Sequence, residues 1–135
     1  MTYFLDRFGQ EAVQALAAHP ANGLESVDQV LREFDRRDPT TGKILTADDV
    51  VLDWAITNLV GDAQLGDGRY FYHNYAEASR AGATESATEC QAGSRALKVQ
   101  QYGVDLVRLR CPGSHRLRFA GATKTSLLPV DPHSG

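Results

Sequence analysis

The chain has no apolar run approaching the roughly 20 residues a membrane-spanning helix needs. Its opening, MTYFLDRFGQ, places Asp6 and Arg7 where a signal peptide would hold its apolar region. It is therefore expected neither to cross a membrane nor to direct its own export. Charge of one sign is also lacking. Fourteen Lys and Arg against 17 Asp and Glu leave a net charge of -3, so no global attraction to nucleic acid or anionic membrane is expected. Cysteine is scarce: Cys90 and Cys111 form no CxxC pair and have no Cys or His at zinc-finger spacing. They are compatible with one disulfide in an oxidising compartment or with two free thiols.

Catalytic signatures are missing as well. His19, His73, His115 and His133 stand in four separate segments with no HExxH, and a zinc site needs ligands held on rigid spacing. There is no GxSxG elbow and no serine with an obvious histidine partner. No catalytic residue, cofactor-binding residue or metal ligand is expected within this chain. No internal repeat is visible.

What is present is enough for one hydrophobic core: 135 residues, 42% apolar and 23% charged. The fold class expected is α+β, with about four helices, a long connector and a short antiparallel β region. Phe4, Leu5, Phe8, Ala12, Val13 and Leu16 recur at helical spacing, but Gly9 interrupts the stripe. One helix is expected to close at Phe8 and a second to run over 10–18, ending at His19-Pro20. A third covers 24–34, with Leu24, Val27, Leu31 and Phe34 on one face. After the turn-forming DRRDPTTGKIL, Thr46 caps a fourth, and Asp48 and Asp49 suit its positive first turn. Over 50–60 this helix is apolar almost all round, which predicts burial on several sides. The remaining helices are too short to cover it fully, so part of its coat is expected from elsewhere.

A Gly/Asp loop, DAQLGDGRYFYHNY, follows and carries the aromatic cluster Tyr70, Phe71, Tyr72 and Tyr75. Three regions result: a helical segment over 1–75, a connector over 76–94 rich in Ala, Ser, Thr, Gly and Glu, and a β segment over 95–135. In the last, VDLVRLR and HRLRF alternate with period two around Cys111-Pro112-Gly113-Ser114, predicting an antiparallel hairpin over 105–120. Weaker strand candidates lie at 97–102 and 125–128.

Three local constellations remain. Asp62 and Asp67, with Gly66 and Gly68, could offer oxygen ligands to calcium, but the spacing is not that of the helix-loop-helix calcium motif, and a solvated turn is the simpler reading. Arg108, Arg110, Arg116 and Arg118 would share one face of the hairpin; base-stacking aromatics are missing from that face, so it reads foremost as a wet sheet surface. Asp53, beside Trp54 in the apolar helix, is the carboxylate expected to be buried, paired structurally with backbone or an arginine.

Four blocks carry a resemblance: YFLDRFG, NGLESVDQVL, LTADDVVLDWAITNLVGDAQLGDGRYFY, and QQYGVDLVRLR with the closing LLPVDPHSG. In this order they resemble the end of the catalytic domain in the immune inhibitor A type of secreted bacterial zinc metalloprotease. The resemblance implies a thermolysin-like arrangement whose zinc is held by an HExxH helix and a downstream glutamate, all outside the region matched. No residue here inherits a ligand or catalytic role. Zinc, with calcium as a further candidate, would belong to the intact parent. The expectation is an inactive fragment, truncated at both edges. It would contribute a helical wall, with the N-terminal half of the protease domain and a downstream β-sandwich module as partners. A rival expectation is a free-standing, non-catalytic interaction module that uses the Arg-rich hairpin or the aromatic cluster.

Overall fold

The computed structural model describes residues 1–75, 78, 80–88, 93–94, 96–100, 102–118 and 120. It divides into two compact units, Met1–Arg80 and Ala81–Gly135. The first holds three helices: α1 over Thr2–Ala18, α2 over Leu24–Glu33 and α3 over Ala47–Val60. The count is three rather than about four because the two expected N-terminal helices run as one element across a kink. At that kink Gly9 takes φ 87 and ψ 174, a conformation other residues rarely adopt. Arg36 donates to the Phe8 carbonyl there, at 3.3 Å.

The core forms where the apolar faces of α1 and α2 meet. Tyr3, Phe4, Phe8 and Ala12 pack with Val30, Leu31, Leu45 and Val50, and Leu31 is completely enclosed. The Phe4 and Phe8 rings, one turn apart, lie 4.8 Å centre to centre. Two polar devices set α3 against this core. Thr46 and Asp49 form a reciprocal capping box, and Asp28 of α2 accepts a hydrogen bond from the Ala47 N–H at 2.7 Å. Between α2 and α3 the chain closes a short loop with an antiparallel bridge from Arg37 to Ile44. The Asp38 carboxylate turns that loop by accepting from the N–H groups of Thr40 and Thr41 at 2.9 and 2.8 Å.

The second unit corrects the β expectation. Strand β1, Glu85–Ala87, lies within the expected connector and pairs in parallel with β2, Val107–Leu109, so that Glu85 faces Val107 and Ala87 faces Leu109. Only 107–109 of the predicted hairpin is strand among the described residues, and the described part of 97–102 has none. The physical reason lies in what fixes register. An antiparallel hairpin here would need Val107 and Leu109 to bury one face, yet Leu109 is 44% exposed. Thr84 supplies the anchor instead: its N–H donates to the Leu106 carbonyl at 2.7 Å, and its hydroxyl accepts from the Leu106 N–H at 2.7 Å. The candidate at 125–128 lies outside the described residues. Cys111 is disulfide-bonded; the other cysteine, Cys90, lies outside the described residues. Among the described residues no helix is long and apolar enough to cross a membrane.

Leu31→Ala would empty a fully enclosed site where α1 and α2 meet. Thermal denaturation followed by circular dichroism is expected to show a loss of about 2–5 kcal/mol. A loss under about 1 kcal/mol would mean that this core can collapse around the gap.

Candidate functional site

The polar organisation of the helical unit centres on Arg69, which the Gly/Asp loop after α3 delivers inward until it is only 8% exposed. Its guanidinium is held from three sides: Nη1 lies 2.6 Å from Asp38 Oδ2 and 3.5 Å from Asp53 Oδ2, and Nε lies 2.7 Å from Asp67 Oδ1. The Arg69 carbonyl also accepts from the hydroxyls of Tyr3 and Thr57, both at 3.1 Å. One residue thus ties the loop to α1, α3 and the turn before α3.

A second cation extends the network. Arg7 reaches the other oxygen of Asp67 at 2.6 Å. One residue earlier on the kinked helix, Asp6 accepts from the N–H groups of His73 and Asn74, each at 2.9 Å, and from the Asn74 amide at 2.7 Å. The loop is therefore pinned at 67–69 and again at 73–74.

Each carboxyl is tuned by its surroundings. Arg69, with the Thr41 and Thr40 amides, holds Asp38 down at about 2. At Asp67 burial acts upward, but hydrogen bonds from Arg69 and Arg7 outweigh it and hold the group below its ordinary value. Asp53 goes the other way, because burial outweighs the attraction of Arg69 and Arg7. Burial and the nearby Asp53 push the Tyr3 phenol up, so it remains a neutral donor. Burial alone would lower Arg69, yet its carboxylate partners raise it, and it stays charged. These groups neutralise and brace one another.

Beside this network lies a groove of about 480 Å³, lined by Thr2, Tyr3, Trp54, Asn58, Tyr72 and Tyr75 together with Met1 and Ala78. Trp54 and Tyr75 are 42% and 39% exposed, whereas Tyr3 is buried and meets Tyr72 edge to face at 6.0 Å. The Tyr72 hydroxyl donates to Asn58 Oδ1 at 2.9 Å. Burial raises the Tyr72 phenol, while a hydrogen bond from Trp54 opposes the rise. Among the described residues the side chains lining the groove are aromatic, neutral polar or apolar.

The residues singled out in the sequence fall apart from one another. The Asp67 oxygens serve Arg7 and Arg69, while Asp62 accepts from the Gln64 N–H at 2.8 Å, so these two carboxylates do not converge as the calcium idea required. Among the described residues no group of three or more His, Cys, Asp or Glu side chains could hold a metal ion. His19 accepts from the Ala21 N–H at 3.1 Å, His73 contacts the Gly68 carbonyl at 3.1 Å, and His115 contacts the Pro112 carbonyl at 2.9 Å; His133 lies outside the described residues. Arg108, Arg110, Arg116 and Arg118 are exposed, but with no hairpin among the described residues they lose the shared face expected of them. Asp53 does have an arginine partner, Arg69. Sequence reasoning missed Arg69 itself, although a lone cation in GDAQLGDGRYFY following a helix with a buried Asp was the available signal. No family profile, characterised protein or solved structure matches the chain.

Arg69→Met would leave three carboxylates without their shared cation. Its expected cost is about 3 kcal/mol, toward the lower end for breaking a buried pair. Calorimetry should record this as a fall in Tm of roughly 10–20 °C; a shift within 2 °C would deny the network its structural role. The pH response follows from the depressed carboxyls. Asp38 contributes stability that is fully present above its ordinary value of 3.8 and is lost as pH falls toward about 2. Asp53, raised in the fold, acts in the opposite sense: its own contribution is greatest at low pH and declines as pH rises through its folded value. Asp38→Asn should therefore flatten the acid limb of a Tm-versus-pH curve between pH 4 and pH 2, and an unchanged limb would contradict the assignment.

Proposed function

We propose that Met1–Arg80 is a non-catalytic helical wall of a secreted zinc metalloprotease of the immune inhibitor A type. In the working protein it is covered by the half that carries HExxH, and alone it is inactive. The observation that carries this reading is the incomplete burial of α3. The helix is apolar almost all round, yet only Ala47, Val50, Ile56 and Thr57 are buried. Val51, Leu52, Ala55, Leu59 and Val60 are half-buried and Trp54 is exposed. An apolar helix left in this state is stabilised by a further covering surface. The disulfide at Cys111 fits an oxidising, extracytoplasmic setting. In this reading Ala81–Gly135 leads toward a downstream β-sandwich module, and the zinc, with calcium as a further candidate, is held by the covering half. The chain engages neither nucleic acid nor membrane.

A free-standing interaction module is the second reading, favoured by the aromatic groove beside Trp54 and by a core and ion network that close within Met1–Arg80. The coding sequence discriminates. An in-frame HExxH within one domain's length upstream supports the wall, whereas a promoter and start codon serving Met1 directly would contradict it. A second test uses the chain alone. Leu52→Lys with Leu59→Lys is expected to reduce binding of a hydrophobic dye while lowering Tm by less than about 5 °C, because these positions await cover. Unfolding of the double variant would show that they are already core.

A further inference from the structure

We infer that the outer edge of β2 takes up an extended peptide in which acidic and apolar residues alternate. This goes beyond the wall reading, since it concerns the second unit and uses no residue of Met1–Arg80. The sheet there has two strands in the order β1-β2, so among the described residues β2 has a partner on one side only. The hydrogen bonds fix which backbone groups face that partner. The Leu106 carbonyl accepts from the Thr84 N–H at 2.7 Å, and the Arg110 N–H donates to the Ala87 carbonyl at 2.9 Å. Backbone groups alternate in direction along an extended chain, so Leu106, Arg108 and Arg110 turn theirs toward β1 while Val107 and Leu109 turn theirs to the outer edge. Such an edge is a template for another extended chain, whose regularly spaced N–H and C=O groups continue the ladder.

The side chains then select the sequence of that chain. Alternate residues share a face, which puts Val107 and Leu109 on one face of β2 and Arg108 and Arg110 on the other. Leu109 is 44% exposed, and both arginines are exposed. Glu85 sits opposite Val107 and Ser86 opposite Arg108, so β1 brings no carboxylate to the arginine face. Among the described residues no ion pair uses Arg108 or Arg110, whereas Arg7, Arg37 and Arg69 each hold an aspartate. Carboxylates on the incoming strand meet these guanidinium forks, and its apolar residues cover Val107 and Leu109 on the opposite face. A nucleic acid strand lacks the peptide groups that the edge requires, and 103–118 contains no Phe, Tyr or Trp on which bases could stack. Arg116 and Arg118 repeat the Arg-Leu-Arg pattern outside any strand, which makes them a control of equal charge.

The test is a titration of the full, isotope-labelled chain with a short acetylated and amidated peptide that alternates glutamate with valine, at about 0.15 M NaCl. Amide exchange is expected to slow at Val107 and Leu109, whose N–H groups face the edge, and to stay unchanged at Arg110. Arg108→Glu with Arg110→Glu should weaken binding about tenfold, through the loss and reversal of two cross-strand ion pairs. Arg116→Glu with Arg118→Glu, which changes the net charge equally, should bind within about twofold of the wild type, because charges away from the ladder are screened. Protection of the amide at position 110 verifies that the sheet is intact in both variants. With the wild-type chain, N-methylation of the peptide's backbone nitrogens should abolish binding. No slowing at Val107 and Leu109, undiminished binding of the N-methylated peptide, equal losses in the two double variants, or equal protection by a sulfated polysaccharide or by anionic lipid vesicles would overturn the inference.

Discussion

The helical unit depends on a buried cation. Arg69 arrives from a glycine-rich loop that has little apolar surface of its own, and the loop keeps its course because the guanidinium meets Asp38, Asp53 and Asp67 while the carbonyl meets Tyr3 and Thr57. A buried arginine without such partners would carry a large desolvation cost. With them, the loop, α1, α3 and the turn before α3 are fixed by one residue. The same arrangement explains why Asp38 and Asp67 are depressed while Asp53 is raised: the first two receive short hydrogen bonds, and Asp53 has a longer contact in a drier place.

From that constraint the groove follows. Holding 67–69 inward and tying 73–74 to Asp6 brings Tyr72 over Tyr3 and alongside Asn58, so the rings of a flexible-looking loop become the wall of a defined cavity. Among the described residues, charged side chains gather in the network and the side chains lining the groove are neutral.

Much of the helical unit was legible in the sequence because each signal was local. Thr46 and Asp49 announced the cap, Gly9 announced the break, and the spacing of Phe4, Phe8 and Leu31 announced the core. The β region was misread because alternation implies a strand but not its partner. Thr84, 22 residues from Leu106 in sequence, supplies the pairing through a hydroxyl that no periodicity reveals. The candidate site was half legible: the aromatic cluster and Asp53 stood out, but Arg69 and Asn58 gain their roles only from contacts distant in sequence, such as the 31-residue separation between Arg69 and Asp38.

Amide hydrogen exchange at His73 and Asn74 tests the dependence on Arg69 most directly, because these N–H groups lie at the far pin of the loop and do not touch the guanidinium. If Arg69 holds the loop in place, their protection falls at least tenfold in Arg69→Met while that of the core amides of Val30 and Leu31 falls less. Unchanged protection at His73 and Asn74 in a folded Arg69→Met protein would contradict the account.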